Sequence, residues 1–161
     1  MKITAFLTAI LVGAASAADT LYLVNSWKGN EISSGMAYYA DGHDATGGTG
    51  GSRPDDYVDV THGSHIIWEG QAVKGKFLFL LPLKSKKLTG NQGTFGTGVS
   101  FTSNIFADAA SKHDNAWAGT GTNGYHTYNC WKRTGPVGKP VVLYTVDGWT
   151  VETVYYCRPF N

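Results

Sequence analysis

Eight short segments rich in aromatic and β-branched residues run through the chain between glycine-rich stretches, and they limit the fold more than any other feature. Segments of this length and composition predict β-strands. The Asp147-Gly148 pair between the last two predicts a tight hairpin, because such a turn needs positive φ angles. The predicted strands cover residues 20–27, 56–61, 65–70, 75–83, 98–107, 125–131, 140–146 and 149–157.

One segment departs from the strand pattern. Residues 30–41 (NEISSGMAYYAD) place Ile32, Met36 and Tyr39 at helical spacing, which predicts a helix over residues 31–41. The chain has no internal repeat, and a strand followed by one helix and then by further strands is typical of an α+β protein. We therefore expect one helix packed on an antiparallel sheet.

The first 17 residues have the pattern of a secretory signal peptide, with a basic Lys2, an apolar stretch from Ile3 to Val12 and small residues up to Ala17. This pattern predicts a secreted protein whose mature part, residues 18–161, is a single domain. Loss of Lys2 leaves 12 basic and 12 acidic residues. A domain without excess positive charge lacks a general electrostatic attraction for nucleic acid, and we expect no association with membranes.

Cys130 and Cys157 are the two cysteines of the chain, and on an oxidising secretory route we expect them to form a disulfide. In the chain-entropy model, a cross-link between residues this far apart stabilises the fold by about 3 kcal/mol. The C-terminal part of the chain is also rich in aromatic residues, which would either enlarge the core or form an exposed patch. These residues are Trp131, Tyr144, Trp149, Tyr155 and Tyr156.

Four stretches, taken in order, resemble the small secreted fungal guanyl-specific ribonucleases. ISSGMAYYADGHDAT lies where that family has its helix, and HGSHIIWEGQ resembles its strand ending in an aromatic-Glu-Gly triplet. FLFLLPLKSKKLTGNQGTFGTGVSF resembles its two central strands, and TGTNGYHTYNC resembles its glycine-rich loop. The resemblance spans about residues 30–130. It implies one helix on a twisted antiparallel sheet, with residues 131–161 forming a C-terminal β-hairpin extension that supplies Cys157.

The family's reaction uses a glutamate as base, an arginine that stabilises charge and a histidine as acid. By the resemblance, these positions fall on Leu80, Gly98 and Gly119, whose side chains can do none of this chemistry. The resemblance therefore implies an inactive, ribonuclease-like effector of a plant-pathogenic fungus. Such a protein would be a secreted or host-translocated monomer that binds a host protein or host RNA and promotes virulence. No cofactor or metal is implied.

Four residues are candidate ligand contacts. Glu69 matches a family glutamate that contacts the guanine base, and His62 lies next to the position of a second family histidine. His65 shares a strand face with Glu69, whereas His62 lies on the other face, which argues against a metal site. Tyr125 follows the predicted glycine-rich loop. Two other functions stay open: an active ribonuclease that uses Glu69 with His62 or His65, and an aromatic-rich carbohydrate-binding β domain.

Overall fold

The computed structural model describes residues 19–43, 45, 51–77, 99–135 and 139–160. In these ranges helical structure is limited to one 3-10 turn, Ala109–Ser111, and no helix is long and apolar enough to cross a membrane. The nine strands among the described residues are β1 (Thr20–Lys28), β2 (Glu31–Tyr39), β3 (Asp56–Asp59), β4 (Ala72–Phe77), β5 (Val99–Ile105), β6 (Trp117–Thr122), β7 (Thr127–Lys132), β8 (Val141–Val146) and β9 (Trp149–Pro159).

Most of the predicted strands are confirmed. Six of them correspond to β1, β3, β5, β7, β8 and β9. A seventh, residues 75–83, overlaps β4, and its residues 78–83 lie outside the described ranges. The alternation of apolar and polar residues was an adequate guide wherever one face of a strand is buried and the other is not.

The predicted helix over residues 31–41 is wrong, and so is the α+β fold class, because this segment forms β2. It pairs antiparallel with β1 along its whole length, through a tight turn at Gly29, whose φ is 58°. Most of β2 is buried on both faces, so it lacks the alternation that marks a half-buried strand. Ser33, Ser34 and Gly35 also have low helix propensity.

The strands form one antiparallel sheet in the order β3-β2-β1-β9-β7-β6-β5-β4, with β8 pairing the first half of β9. The strands at the two ends of this order, β3 and β4, contact each other without a ladder between their described residues. A Cβ added to Gly75 of β4 would lie 2.8 Å from side-chain atoms of Val58 and Met36. The sheet thus curls into a nearly closed barrel, an arrangement that leaves little of its edges open.

The barrel encloses the main core. Its largest fully buried side chains are Trp68, Tyr155, Phe101, Leu23 and Met36. Trp68 belongs to residues 65–70, for which the predicted strand is wrong. This segment is irregular apart from a single bridge between Glu69 and Ile105, and it packs Trp68 into the barrel.

A second core lies on the outer surface of the barrel. Val24, Ala37 and Tyr39 point to the face of β1 and β2 opposite the main core, where they pack against Leu143 and Tyr144 of β8. Strand β8 therefore packs over the outer face of the sheet, whereas β9 stays within the sheet. At the tip of the hairpin, this second core borders a cleft that is lined in part by Tyr144 and Val151.

The predicted turn at Asp147-Gly148 is confirmed, with φ angles of 49° and 83°. However, residues 131–161 are not an extension of a complete domain. β9 lies at the centre of the sheet, with β1 on one edge and both β7 and β8 on the other. The predicted disulfide between Cys130 and Cys157 is confirmed, and both cysteines are buried in the main core.

Candidate functional site

The glycine-rich stretch that was predicted to be a loop is largely strand β6. Gly121 faces the ring of Phe101, and a Cβ added to Gly119 would overlap the backbone oxygen of Asn104. These glycines therefore let β6 pack closely on its neighbours, and they do not form a cradle for a ligand. Leu80 and Gly98, the other two positions assigned to lost catalytic groups, lie outside the described residues.

Glu69 takes part in an internal contact. Its carboxylate accepts a hydrogen bond from the hydroxyl of Tyr155, a side chain that is fully buried in the main core. Burial raises the pKa of Tyr155, and the hydrogen bond and charge of Glu69 raise it further. The hydroxyl therefore stays protonated and donates to Glu69, so this glutamate has a structural partner.

The other three candidate contacts are dispersed over the surface. His62 is exposed, with a φ of 49°, and its Nδ1 lies 3.7 Å from Asp59 Oδ2. His65 Nε2 lies 3.2 Å from the backbone oxygen of Ser26. Tyr125 is 84% exposed in the turn between β6 and β7. In the described parts of the chain, no hydrogen bond or ion pair joins Glu69 to either histidine.

A concave surface lies where the tip of the β8–β9 hairpin faces β2 and β3. It is a cleft of about 450 Å³, a size typical of small-molecule sites. A second recess of about 450 Å³ and a third of about 320 Å³ adjoin it, and Trp149 lines all three. We call this surface the Trp149 groove. Its central cleft is lined by Ser26, Ser33, Arg53, Pro54, Tyr57, Asp59, Tyr144, Val146, Trp149 and Val151.

Strand geometry explains how these residues meet. Tyr57 and Asp59 are two positions apart on β3, so both point to the outer face of the sheet. Trp149 immediately follows the tight turn of the hairpin and is half-buried. Trp149 begins β9, which pairs with β1, and Tyr144 lies on β8, which packs over the outer face of the sheet. Both therefore line the same cleft as Tyr57 and Asp59.

Asp59 is held in place as a carboxylate. Its Oδ1 accepts hydrogen bonds from Ser33 Oγ at 2.6 Å, from the Thr61 N–H at 3.0 Å and from the His62 N–H at 2.9 Å. Partial burial raises the pKa of Asp59, but these hydrogen bonds outweigh it and lower the pKa below its ordinary 3.8. Asp59 is therefore charged at neutral pH, and hydrogen bonding uses mainly one of its two oxygens.

The two tyrosines of the groove keep their protons. Burial raises the pKa of Tyr57, although a hydrogen bond from Ser26 opposes the shift. Burial also raises the pKa of Tyr144, and the neighbouring Tyr57 adds to this effect. Arg53 is two-thirds exposed, and its guanidinium lies 4.0 Å from the exposed carboxylate of Asp147. A pair of this kind is weak, so the guanidinium can turn toward a ligand.

The sequence interpretation did not find this groove. It named Trp149 and Tyr144 only as aromatic residues of a core or a patch, and it gave no role to Arg53, Tyr57 or Asp59. The alternation in DYVDV would have placed Tyr57 and Asp59 on one face. Their proximity to Trp149 depends on how β8 packs over the outer face of the sheet, for which the sequence carries no local signal.

A comparison of the chain with known protein families, curated proteins and solved structures finds no match. Among the described residues, no group of three or more His, Cys, Asp or Glu side chains is arranged to hold a metal ion.

Proposed function

We propose that the protein is a secreted, non-catalytic binding protein and that the Trp149 groove holds a neutral saccharide. One observation carries this proposal: a single cleft joins the side chains of Tyr57, Tyr144 and Trp149 to a carboxylate fixed by hydrogen bonds, that of Asp59. Aromatic walls with a few well-placed polar groups are typical of sites that bind small molecules.

The chemistry of the groove matches that of a sugar ring. A pyranose presents C–H groups on its faces and hydroxyl groups around its edge. Aromatic side chains offer apolar area for the faces together with polar groups at their tips. Asp59 accepts hydrogen bonds from hydroxyl groups, and Arg53 donates them. Since these two side chains have opposite charges, the groove favours a ligand without net charge.

The same features disfavour RNA as the ligand of this groove. Nucleic-acid sites neutralise phosphates with several Lys or Arg side chains. Among the residues that line the central cleft, Arg53 is the cation, and it is matched by Asp59 in the cleft and by Asp147 at its edge. The groove therefore offers little positive charge to neutralise the phosphate groups of RNA.

The ribonuclease-like functions receive less support from the structure. The helix implied by the resemblance is strand β2, so the fold no longer favours that family. A role as an effector that binds a host protein or host RNA stays a prediction. An active ribonuclease that uses Glu69 with His62 or His65 is disfavoured because Glu69 bonds to Tyr155 and no described contact links it to either histidine.

The proposal is tested by screening the mature protein on a glycan array and titrating it calorimetrically with the best oligosaccharide. Replacing Trp149 by alanine removes a half-buried ring from the groove and should weaken binding at least about tenfold. Tyr125→Ala, which removes an exposed ring in the turn between β6 and β7, is the matched control and should bind like the wild type. Failure of every glycan to bind, or equal affinity of Trp149→Ala and wild type, would contradict the proposal.

A further inference from the structure

The Trp149 groove is divided into three adjoining recesses, of which the central cleft is one. We call the second the β2 recess, because it adds residues from the start of β2 and from the loop after β3, namely Asn30, Glu31, Ile32 and Gly63. We call the third the hairpin recess, because it adds residues at the tip of the β8–β9 hairpin, namely Thr145, Asp147, Gly148 and Thr150. Each of the three has the volume of a small-molecule site.

The recesses are connected by side chains that line two of them at once. Ser33 and Asp59 line both the β2 recess and the central cleft. Arg53 and Val146 line both the hairpin recess and the central cleft. The two outer recesses have Trp149 in common. The central cleft therefore joins the two outer recesses, and Trp149 stands where all three meet.

The register of the sheet sets the distance between the two outer recesses. Ile32 of β2 and Thr150 of β9 both lie opposite Trp27 of β1, one on each side of it. Neighbouring strands are about 4.8 Å apart, so the Cα atoms of Ile32 and Thr150 lie roughly 10 Å apart. This distance is too long for one sugar ring, and it is close to two residue lengths of a sugar chain.

Hydrogen-bonding groups of opposite kinds lie at the two junctions between recesses. Asp59 uses its Oδ1 for hydrogen bonds with Ser33 and with two backbone N–H groups. Its Oδ2 lies 3.7 Å from His62 Nδ1, which is too far for a hydrogen bond, so this oxygen can accept one from a ligand. At the other junction, Arg53 is held only by its weak pair with Asp147 and offers N–H donors. A sugar hydroxyl both donates and accepts, so a sugar chain can bond at both junctions.

Charges of both signs surround the outer recesses. Glu31 lines the β2 recess, and Lys28 lies opposite it in the ladder of β1 and β2. The side chain of Lys28 reaches the hairpin tip, since a Cβ added to Gly148 would lie 3.4 Å from its Cε. At the hairpin recess, Arg53 lies beside Asp147. A mixture of this kind supplies hydrogen-bond donors and acceptors without the excess of cations that a polyanion needs.

We infer that the Trp149 groove binds a segment of three consecutive sugar residues, with one residue in each recess. The inference rests on the proposed function and adds the size class of the ligand, an oligosaccharide and not a free monosaccharide. The middle residue occupies the central cleft between Tyr57, Tyr144 and Trp149, and its two neighbours occupy the β2 recess and the hairpin recess. Because Trp149 lines all three recesses, its indole ring contacts the ligand whatever the length of the chain.

The inference is tested by the dependence of affinity on chain length. The ¹⁵N-labelled mature protein is titrated, with detection by NMR, with oligosaccharides of one to six residues. The probes are the β-1,3-glucose, β-1,4-glucose and β-1,4-N-acetylglucosamine series and the series cut from the best glycan of the array. For the series that binds, affinity should rise at least about tenfold from the monosaccharide to the trisaccharide and change less than about threefold beyond it.

Two variants each trim one outer recess and leave the central cleft intact. Ile32→Ala alters the β2 recess at a side chain that is 38% exposed, and Thr150→Ala alters the hairpin recess. Each should weaken binding of the trisaccharide about threefold and leave binding of the monosaccharide unchanged. A change that acted only through the fold would weaken both. Tyr125→Ala is the control and should bind every chain length like the wild type.

The outcomes separate this inference from the proposed function. Equal affinity for monosaccharide and trisaccharide, or equal losses for both in the Ile32→Ala and Thr150→Ala variants, overturns the inference. The proposed function then stands, provided that the indole N–H signal of Trp149 shifts with the bound sugar. If no sugar of any length shifts that signal, the proposed function and the inference are both overturned.

Discussion

Cys130 of β7 and Cys157 of β9 lie directly opposite each other, with their Cα atoms 4.0 Å apart and their sulfurs bonded. The bond joins the central strand of the sheet to its neighbour and closes the loop that contains the β8–β9 hairpin. This hairpin carries Trp149 and Tyr144, so the disulfide constrains the element on which the Trp149 groove depends.

Removal of the disulfide should therefore destabilise the whole fold. For the 27 residues that separate the cysteines, the chain-entropy model gives a loss of about 3–4 kcal/mol in the free energy of unfolding. Urea unfolding of the Cys130→Ser/Cys157→Ser variant measures this loss. Wild type under non-reducing conditions is the reference, and an unchanged unfolding midpoint would be incompatible with this role.

Acid should weaken the loop beside the groove through Asp59. The folded pKa of Asp59 lies below its ordinary 3.8, so its contribution is present above about pH 4 and is lost as the pH falls through the folded pKa. Asp59→Asn lacks this contribution. The difference in unfolding free energy between wild type and Asp59→Asn should thus be largest near pH 7 and shrink toward pH 2.5. Asp108→Asn, at an exposed carboxylate, should give a small difference near pH 7.

Restoring a side chain at Gly119 should damage the fold and bring no catalysis. Any Cβ at this position overlaps the backbone of β5, so Gly119→Ala should cost an amount near the upper end of about 1–3 kcal/mol. Gly119→His, which introduces a histidine at the position where the resemblance to the ribonucleases places their acid, should be less stable still and inactive on RNA. Gly124→Ala is the control, because its methyl meets nothing within 4 Å and only its positive φ is strained. A stable Gly119→His variant with ribonuclease activity would contradict this prediction and support the resemblance to the ribonucleases.

The contact between Tyr155 and Glu69 should show energetic coupling. Tyr155→Phe removes the donor and leaves the partly buried carboxylate short of a partner, at a cost of about 1–3 kcal/mol. Tyr155→Phe should cost less in the background of Glu69→Gln, because the charge is then absent. A double-mutant cycle by thermal or urea unfolding measures the coupling, which should exceed about 0.5 kcal/mol. Strictly additive effects on the free energy of unfolding would show that the two side chains have no interaction energy, and would contradict this prediction.

The sequence pattern is clearest in strands with a distinct buried face. β7 and β9 alternate regularly between buried and half-buried residues, and their patterns are visible without any partner. β2 is buried on both sides, so its pattern is ambiguous. β6 contains Gly119 and Gly121, which look like loop residues until the ring of Phe101 and the backbone of β5 are placed against them.

The site was harder to predict than the strands, for a related reason. Tyr57 and Trp149 are distant in the sequence, and they line one cleft because β3, β2 and β1 lie beside β9 in the sheet and β8 packs over its outer face. Local residue patterns predict which way a side chain points from its strand, but they do not predict how a sheet coils. In addition, Glu69 looked like a ligand contact in the sequence, and in the fold its carboxylate faces Tyr155.

The most direct test of the saccharide proposal is to locate the bound ligand on the folded protein. The ¹⁵N-labelled mature domain should be titrated with the best oligosaccharide from the array while amide and indole NMR signals are followed. We predict that the indole N–H of Trp149 and the backbone amides of Tyr57 and Asp59 shift in proportion to occupancy, whereas the indole of the core residue Trp68 does not. Shifts confined to other surfaces, with the signal of Trp149 unmoved at saturation, would contradict the account.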